Sequence, residues 1–489
     1  MKTTGCRAFM LVLALTLLIP YPYACASIWQ NTQTIIDGGS GDAYRADVGF
    51  DGLGNAIAVF EQKAGERYGI YANTYTKSKG WVGAVPVYAG PENAHSARIA
   101  YNKNTGDAIA VFKKEAGKGY GIYASMRLDG KGWEKPQRID GGLNVSDGHK
   151  AAFDARGNAA AVFEGHDGKA FRIYANIYDR AKGWLGPVKI SGSTGSGYFP
   201  APAFDTDGNL HVVYFEESPA GLDLCISRYD AKTARWAPPA KLSGHMSPTT
   251  HKEWKQRVKN ISAQFDWDTA YGDALREKIP PEQNGWSPTK MDARYRDAYT
   301  PSVITRKDGS VSVFFIAGDG RNLRAYTADY RDGAGWGKPG IIDANGADVE
   351  HIRASMNSSG DIAVVFTQHI NGTLRVHART FNAGTGWTDA VIIDAGDKTA
   401  YNPGVVYTEA GEIVVVWCQW EGINVKSFAN IYKNGSWGAA QRLEKEDGET
   451  CGVRIFAGPN GSIIIVYEQE IPAEGDRAVN RIFALTGVK

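Results

Sequence analysis

The 489-residue chain is short of almost every signal that names a chemistry at sight. Charge is balanced, with 54 Lys and Arg against 53 Asp and Glu. No basic domain or polybasic stretch stands out, which argues against nucleic acid or an anionic membrane surface as the main partner. Beyond the N-terminus there is no run of 18 apolar residues, so no membrane span is expected. Five cysteines lack CxxC spacing, which removes the usual zinc arrangements. Nine histidines contain no H-E-x-x-H pair, and neither a G-x-S-x-G elbow nor a phosphate loop occurs. No metal or cofactor is therefore called for. What remains is 43% hydrophobic and only 22% charged, too apolar for a disordered chain.

The N-terminus reads as an export signal. Lys2 and Arg7 precede the apolar run Phe9 to Ile19, and Ala24-Cys25-Ala26 offers an A-x-A cleavage site before Ser27. Residues 1–26 are the expected signal peptide and 27–489 the mature, periplasmic or extracellular chain. A lipoprotein acylated at Cys25 is the weaker alternative, because Pro22 stands where a lipobox has Leu. Cys225, Cys418 and Cys451 remain after cleavage. An exported protein can retain disulfides.

Glycine is abundant, with 58 residues, and 13 tryptophans accompany it. Nine of them fall at a period of 50 to 52: Trp29, Trp81, Trp133, Trp184, Trp236, Trp286, Trp336, Trp387 and Trp437. Turn glycines keep the same period at Gly54, Gly106, Gly157, Gly208, Gly309, Gly360, Gly411 and Gly461. Within one unit, Asp47 to Phe50 reads as a strand and Asp51-Gly52-Leu53-Gly54-Asn55 as a turn. The apolar run Ala56 to Phe60 and the aromatic, β-branched run Tyr68 to Tyr75 follow, and Gly80-Trp81 opens a fourth strand. Four short strands per period predict an all-β fold, a propeller of four-stranded blades. The last unit stops after three strands, and Ile28-Trp29 to Asp37 supplies the missing one. The ring is thus expected to close through its N-terminal strand, leaving no open sheet edge.

The motif D-x-x-G-N-A-x-A-V-F, then I-Y-A-N, then G-W-x-x-P resembles secreted bacterial propeller proteins with BNR or sialidase-like repeats. It is also similar to the repeats of fungal fucose-binding lectins. The likeness spans the mature chain and implies the propeller fold. The S-x-D-x-G-x-x-W box of sialidases is missing, so no catalytic residue carries over.

One unit breaks the pattern. Gly208 and Gly309 are two periods apart. Between them Thr250-His251-Lys252-Glu253 looks like a capping box, and Trp254, Val258, Ile261 and Phe265 form a helical stripe. A second helical stretch, Thr269 to Lys278, precedes Pro280-Pro281, while Gly285-Trp286-Ser287-Pro288 returns in phase. Eight blades with a helical insertion over 245–284 is the favoured reading, and nine blades with one degenerate is the other. The insertion is either a packed side cap or a lid.

Ligands of propellers usually lie on the channel face, an expectation drawn from fold alone. Counting back from each turn places Tyr44, His95, Asp147, Tyr198, Tyr299, Glu350, Tyr401 and Cys451 at the channel mouth. His149, His351, Arg45 and Arg353 lie nearby. The second strands leave through Glu61, Lys113, Glu164, Glu216, Thr367-Gln368, Cys418-Gln419 and Glu468-Gln469. Tyrosines stack on sugar rings and the polar groups bond hydroxyls. Tyr44, His95, Tyr198, Tyr299, His351 and Tyr401 are therefore the ligand-binding candidates. Tyrosines beside proline, as at Tyr299 and Tyr401, equally suit packing between blades, and the repeated Trp and Ile-Tyr-Ala-Asn residues suit that role better still. Glu164 and Glu216, with His95, are the candidate acid–base groups, and Cys418 with Cys451 a candidate disulfide across a blade boundary. The leading expectation is a non-catalytic extracytoplasmic module that binds a glycan or a protein on the channel face. A polysaccharide hydrolase or lyase, and a scaffold of an envelope assembly, are the alternatives.

Overall fold

Each blade begins with its turn. Asp51 Oδ1 accepts the backbone N–H groups of Leu53 and Asn55, and Asn55 Nδ2 donates to Oδ2 of the same carboxylate. Asp154 and Asp205 make the same set. Gly54 takes φ +86° between them, a left-handed conformation that glycine adopts without steric cost. These asparagine–aspartate clasps pin the hairpin between the first and second strands, which fixes the register of everything that follows.

The computed structural model describes residues 33–242 and 301–487, with short breaks at 40, 118, 129, 144, 193–194, 219–220, 320, 445–447 and 473–477. Among the described residues there are eight antiparallel sheets and no helix. Blade 1 comprises Ala43–Phe50, Ala56–Ala64, Arg67–Thr76 and Gly80–Tyr88 in spatial order. Blades 2 to 8 start from the innermost strands Ala94–Tyr101, Ser146–Phe153, Gly197–Phe204, Ser302–Thr305, Val349–Met356, Ala400–Tyr407 and Thr450–Ala457. The expected helical insertion over 245–284 lies outside the described residues, as do the signal peptide, Trp29 and Trp286.

Blades 4 and 5 settle the blade number. Although 101 residues separate their turns, they touch directly: Thr305 Oγ1 donates to the Phe204 carbonyl and Trp336 Nε1 to the Ala240 carbonyl. Arg228 and Asp332 pair across the same boundary at 3.2 Å. One apolar cluster, including Phe215, Phe315, Tyr330 and Phe366, runs through blades 4, 5 and 6. No ninth blade is interposed.

A ring of large side chains fills the second strands: Phe60, Phe112, Phe163, Tyr214, Phe315, Phe366, Trp417 and Tyr467, all fully buried. In seven blades each stacks on an aromatic or histidine of the third strand, with interplanar angles of 1° for Phe366–His377 to 21° for Phe315–Tyr326. Blade 4 has Cys225 at that place instead, and the Tyr214 hydroxyl reaches Ile190 O and Ser227 Oγ. Cys225 is thus a small buried filler. The asparagines of the Ile-Tyr-Ala-Asn motif stitch blade to blade: Asn73 donates to Ile36 O and Asn176 to Ile139 O. The repeated tryptophans pack against the strand beside them, Trp81 tilted on Tyr75 and Trp184 edge-on to Tyr178.

Closure is short. Thr34 and Ile35 pair with Ala484 and Phe483, completing the sheet of blade 8. Asp37, its carboxylate fully buried, accepts from Arg481 Nε at 2.7 Å and from the Ile482 N–H at 2.8 Å. Asp394 repeats this latch in blade 6, with Arg375 and the Val376 N–H. Hydrogen bonds to charged groups contribute about 1.5–3 kcal/mol each, so Asp37→Ala is expected to lower stability by about 3 kcal/mol. The cost exceeds that of Asp394→Ala, because Asp37 holds a segment joined to its blade by no hairpin. Urea unfolding of the two variants side by side checks this, and equal midpoints would refute a special burden at the joint.

Candidate functional site

Every innermost strand but one carries a register shift just below its mouth, as between Tyr44 and Asp47 or His95 and Arg98. In six of these seven strands the extra residue takes a left-handed conformation: Arg45 (φ 59°), Ser96 (59°), Gly148 (58°), Phe199 (55°), Asn402 (58°) and Gly452 (64°). Such bulges re-aim side chains and backbone groups, and the strain of a non-glycine residue is held by its surroundings. Here the exposed backbone N–H meets a side chain from the preceding blade. Glu61 accepts from Ser96, Glu164 from Phe199, and Glu468 from Arg45, at 2.6, 2.9 and 2.7 Å.

Strand pairing identifies the groups opposite these bulges, and Ile316 takes the equivalent place in blade 5, one residue past Phe315. The ring runs Glu61, Lys113, Glu164, Phe215, Ile316, Thr367, Cys418 and Glu468. Charge is confined to blades 8, 1, 2 and 3, and blades 4 to 7 supply apolar or neutral groups. Glu216 is not in the ring: it pairs with Gly197 one residue further on, so it points to the other face of its sheet. There it meets Lys241 Nζ at 3.5 Å and Cys225 Sγ at 3.8 Å. Glu164 and Glu216 therefore have different partners, the Phe199 N–H for the one and Lys241 with Cys225 for the other.

The densest chemistry lies where blades 1 and 2 meet. Glu61, wholly buried, bonds His95 Nδ1 at 3.0 Å and Arg45 Nη1 at 3.1 Å. Burial pushes its carboxyl up, but Arg45, His95 and the Ser96 N–H outweigh this and hold it at about 2. The His95 ring sits between Tyr68 and Tyr120, at centroid distances of 5.4 and 6.1 Å. Tyr44 continues the row, 6.3 Å from Tyr68, with its hydroxyl accepting from Asn480. On the other side Lys113 Nζ lies 5.3 Å over the Tyr120 ring and 3.4 Å from Asp147. Burial, and then the charges of Glu115, Asp147 and Glu61, push the Tyr120 hydroxyl up to about 12, so it keeps its proton. The result is a row of half-buried aromatic faces with a carboxylate-fixed imidazole at its centre and a cation at each side. Beside it, at the joint of blades 8 and 1, opens a groove of about 840 Å³ lined by Gly39, Asp42, Gln62, Lys63, Ile471 and Arg481 among others.

The remaining expected residues are scattered. Tyr198 is buried, with its hydroxyl 3.5 Å from Glu217, and Tyr401 packs on the core between blades 7 and 8. His351 is buried against Thr367 Oγ1 at 3.0 Å, and Glu350 bonds His369 at 2.8 Å. Tyr299 lies outside the described residues. Cys418 is a buried thiol that accepts from the Val453 and Gly452 N–H groups; burial pushes it up to about 12. Cys418 is a free cysteine, so the expected disulfide with Cys451 is not formed in this structure. The sequence reading missed Tyr68 and Tyr120, although the repeated Tyr-Gly-Ile at 68–70 and 120–122 was a visible signal. Among the described residues no three His, Cys, Asp or Glu side chains are grouped to hold a metal ion. Nor is any helix there long and apolar enough to cross a membrane.

No family model and no curated protein sequence matches the chain. Among solved structures it is similar to a polysaccharide lyase, a PL25 ulvan lyase bound to a GlcA–Rha3S saccharide. That match has 9% identity and a TM-score of 0.51, covering 94% of this chain and 96% of the other. An intramolecular trans-sialidase from Ruminococcus gnavus matches at 10% identity and a TM-score of 0.39, over 80% and 94% of the two chains. The Aleuria aurantia lectin, a six-bladed fucose-binding propeller, matches at 13% and 0.34, over 75% and 96%. At these identities the likeness shows one thing, that the chain has the fold of a β-propeller.

Proposed function

We propose that the protein is an extracytoplasmic, carbohydrate-directed propeller whose saccharide lies across the mouth of blades 8, 1, 2 and 3. The observation that carries this reading is the row Tyr44–Tyr68–His95–Tyr120. Half-buried aromatic faces stack on sugar rings, while Arg45 and Lys113 beside them bond hydroxyls or acidic groups. Solved propellers of similar fold include a lectin and a polysaccharide lyase. The uncharged ring positions of blades 4 to 7 favour the charged half of the mouth as the site. In a glycan array, Tyr120→Ala is expected to weaken binding at least about tenfold, given stacking worth roughly 1–1.5 kcal/mol and the lost Lys113 contact. Undiminished binding by a folded Tyr120→Ala protein would place the ligand elsewhere.

One feature favours a catalytic second reading. A binding surface has no need of an imidazole locked by a buried carboxylate, whereas a general base does, because the carboxylate fixes tautomer and orientation. His95 as base and Tyr120 as a protonated acid, 6.1 Å apart by ring centroids, suit proton abstraction from a sugar ring with protonation of the leaving oxygen. Incubation with a panel of polysaccharides, read at the absorbance of unsaturated sugar ends and by reducing ends, tests it. Turnover lost in both His95→Ala and Tyr120→Phe supports catalysis. Binding without turnover leaves the lectin-like reading.

A further inference from the structure

Below the mouth lies a second tier, formed by the residue of each innermost strand that pairs with the residue just before the large buried side chain of the second strand. Its members are Asp47, Arg98, Lys150, Ala201, Ser302, Arg353, Gly404 and Arg454. Four of these are cations and one is an acid. Asp47 is committed to the Ile99 N–H at 3.0 Å and lies 3.8 Å from Arg454. In the tier above, Glu61, Glu164 and Glu468 are each engaged by a backbone N–H of the next blade.

The wall between blades 2 and 3 holds two further groups. His149 is 4% exposed and Ser96 5%. His149 Nε2 donates to the Ser96 carbonyl at 2.6 Å, which leaves Nδ1 as a lone-pair acceptor. Neither His149 Nδ1 nor Ser96 Oγ has a hydrogen-bond partner, a costly state for buried polar atoms. The charges of Arg98, Asp147 and Lys113 all bear on this imidazole. An acceptor seeking a donor, a hydroxyl, and flanking cations describe the complement of one sugar unit that carries both hydroxyls and an anion.

We propose that the inner wall of blades 2 and 3 is a subsite for an acidic sugar, with its carboxylate or sulfate against Arg98 and Lys150 and a hydroxyl donating to His149 Nδ1. This rests on the carbohydrate reading of the mouth and narrows its ligand to acidic glycans. The test titrates the full chain with three oligosaccharides: oligogalacturonate, its carboxyl-reduced form, and a galactan oligomer whose only anion is sulfate ester. At least one anionic oligomer should bind about tenfold or more tightly than the reduced one, as expected for a charge-assisted pair. The preferred anion tells carboxylate from sulfate. Arg98→Gln and the less buried Lys150→Gln should each shrink that preference while leaving the reduced oligomer's affinity in place. If wild type binds charged and reduced oligomers alike, or a folded Lys150→Gln protein keeps the full preference, the subsite is wrong and the mouth reading stands. If a folded protein binds none of the three, the mouth reading falls and the subsite with it.

Discussion

Glu61→Ala is expected to cost about 3–5 kcal/mol of stability, the usual penalty for removing one partner of a buried ion pair. The carboxylate is the single acceptor shared by Arg45, His95 and the Ser96 N–H, across the boundary of blades 1 and 2. Its loss leaves a guanidinium only 10% exposed beside an unfilled cavity, and removes what holds Ser96 in its left-handed conformation. Glu61→Gln keeps the volume and one acceptor oxygen, so it should cost less in stability but still release His95. Chemical unfolding separates the two variants. If both unfold at the wild-type midpoint, the Glu61 network is not what joins these blades at the mouth.

Mild acid should destabilise the protein well above the carboxylate range. Burial pushes His149 down to about 3, with Asp147 opposing and Arg98 reinforcing, and burial with Arg353 does the same to His351. Unfolded, both histidines take up protons below about pH 6.5. Folded, they stay neutral until about pH 3. The unfolded state therefore binds up to two more protons across this window. Stability is complete above pH 6.5 and falls as the pH drops, by roughly 1.4 kcal/mol per pH unit for each histidine. His211 and His377, also lowered by burial, add to the trend. His369, raised by its bond to Glu350, opposes it. The contribution of Glu61 belongs to a lower window, present above about 4.5 and lost as the pH falls toward 2. Urea midpoints at pH 7.5, 5.5 and 4.5 should decline steadily. His149→Gln and His351→Asn, which keep the neutral hydrogen bonds, should each flatten the slope by about one proton. Equal wild-type midpoints at pH 7.5 and 4.5 would sink the idea.

Most of the fold was legible because one constraint recurs at a fixed offset. The eight turn glycines each mark one blade, whereas the nine tryptophans in phase left eight or nine blades open until the direct contact of blades 4 and 5. Stepping back from the turn reached Tyr44, His95, Asp147, Tyr198 and Tyr401, since the bulge recurs at the same distance from the clasp. Glu216 shows what the count could not resolve: register puts Phe215 opposite Tyr198 and Glu216 opposite Gly197, and one residue along a strand reverses the face. The bulges recur without a common residue type: Gly148, Asn402 and Gly452 favour left-handed backbone, whereas Arg45, Ser96 and Phe199 do not. Tyr68 and Tyr120 come from third strands, and only packing in three dimensions brings them beside His95.

The seam between blades 4 and 5 has a practical consequence for protein engineering. Because Thr305, Trp336 and Arg228 bind the two blades to each other directly, chain continuity across that seam is not what keeps the ring shut. Long segments inserted between joined elements carry only a slowly growing entropic cost. A segment lengthened between Leu242 and Pro301 is therefore expected to leave blades 4 and 5 joined, at a cost that grows only slowly with its length.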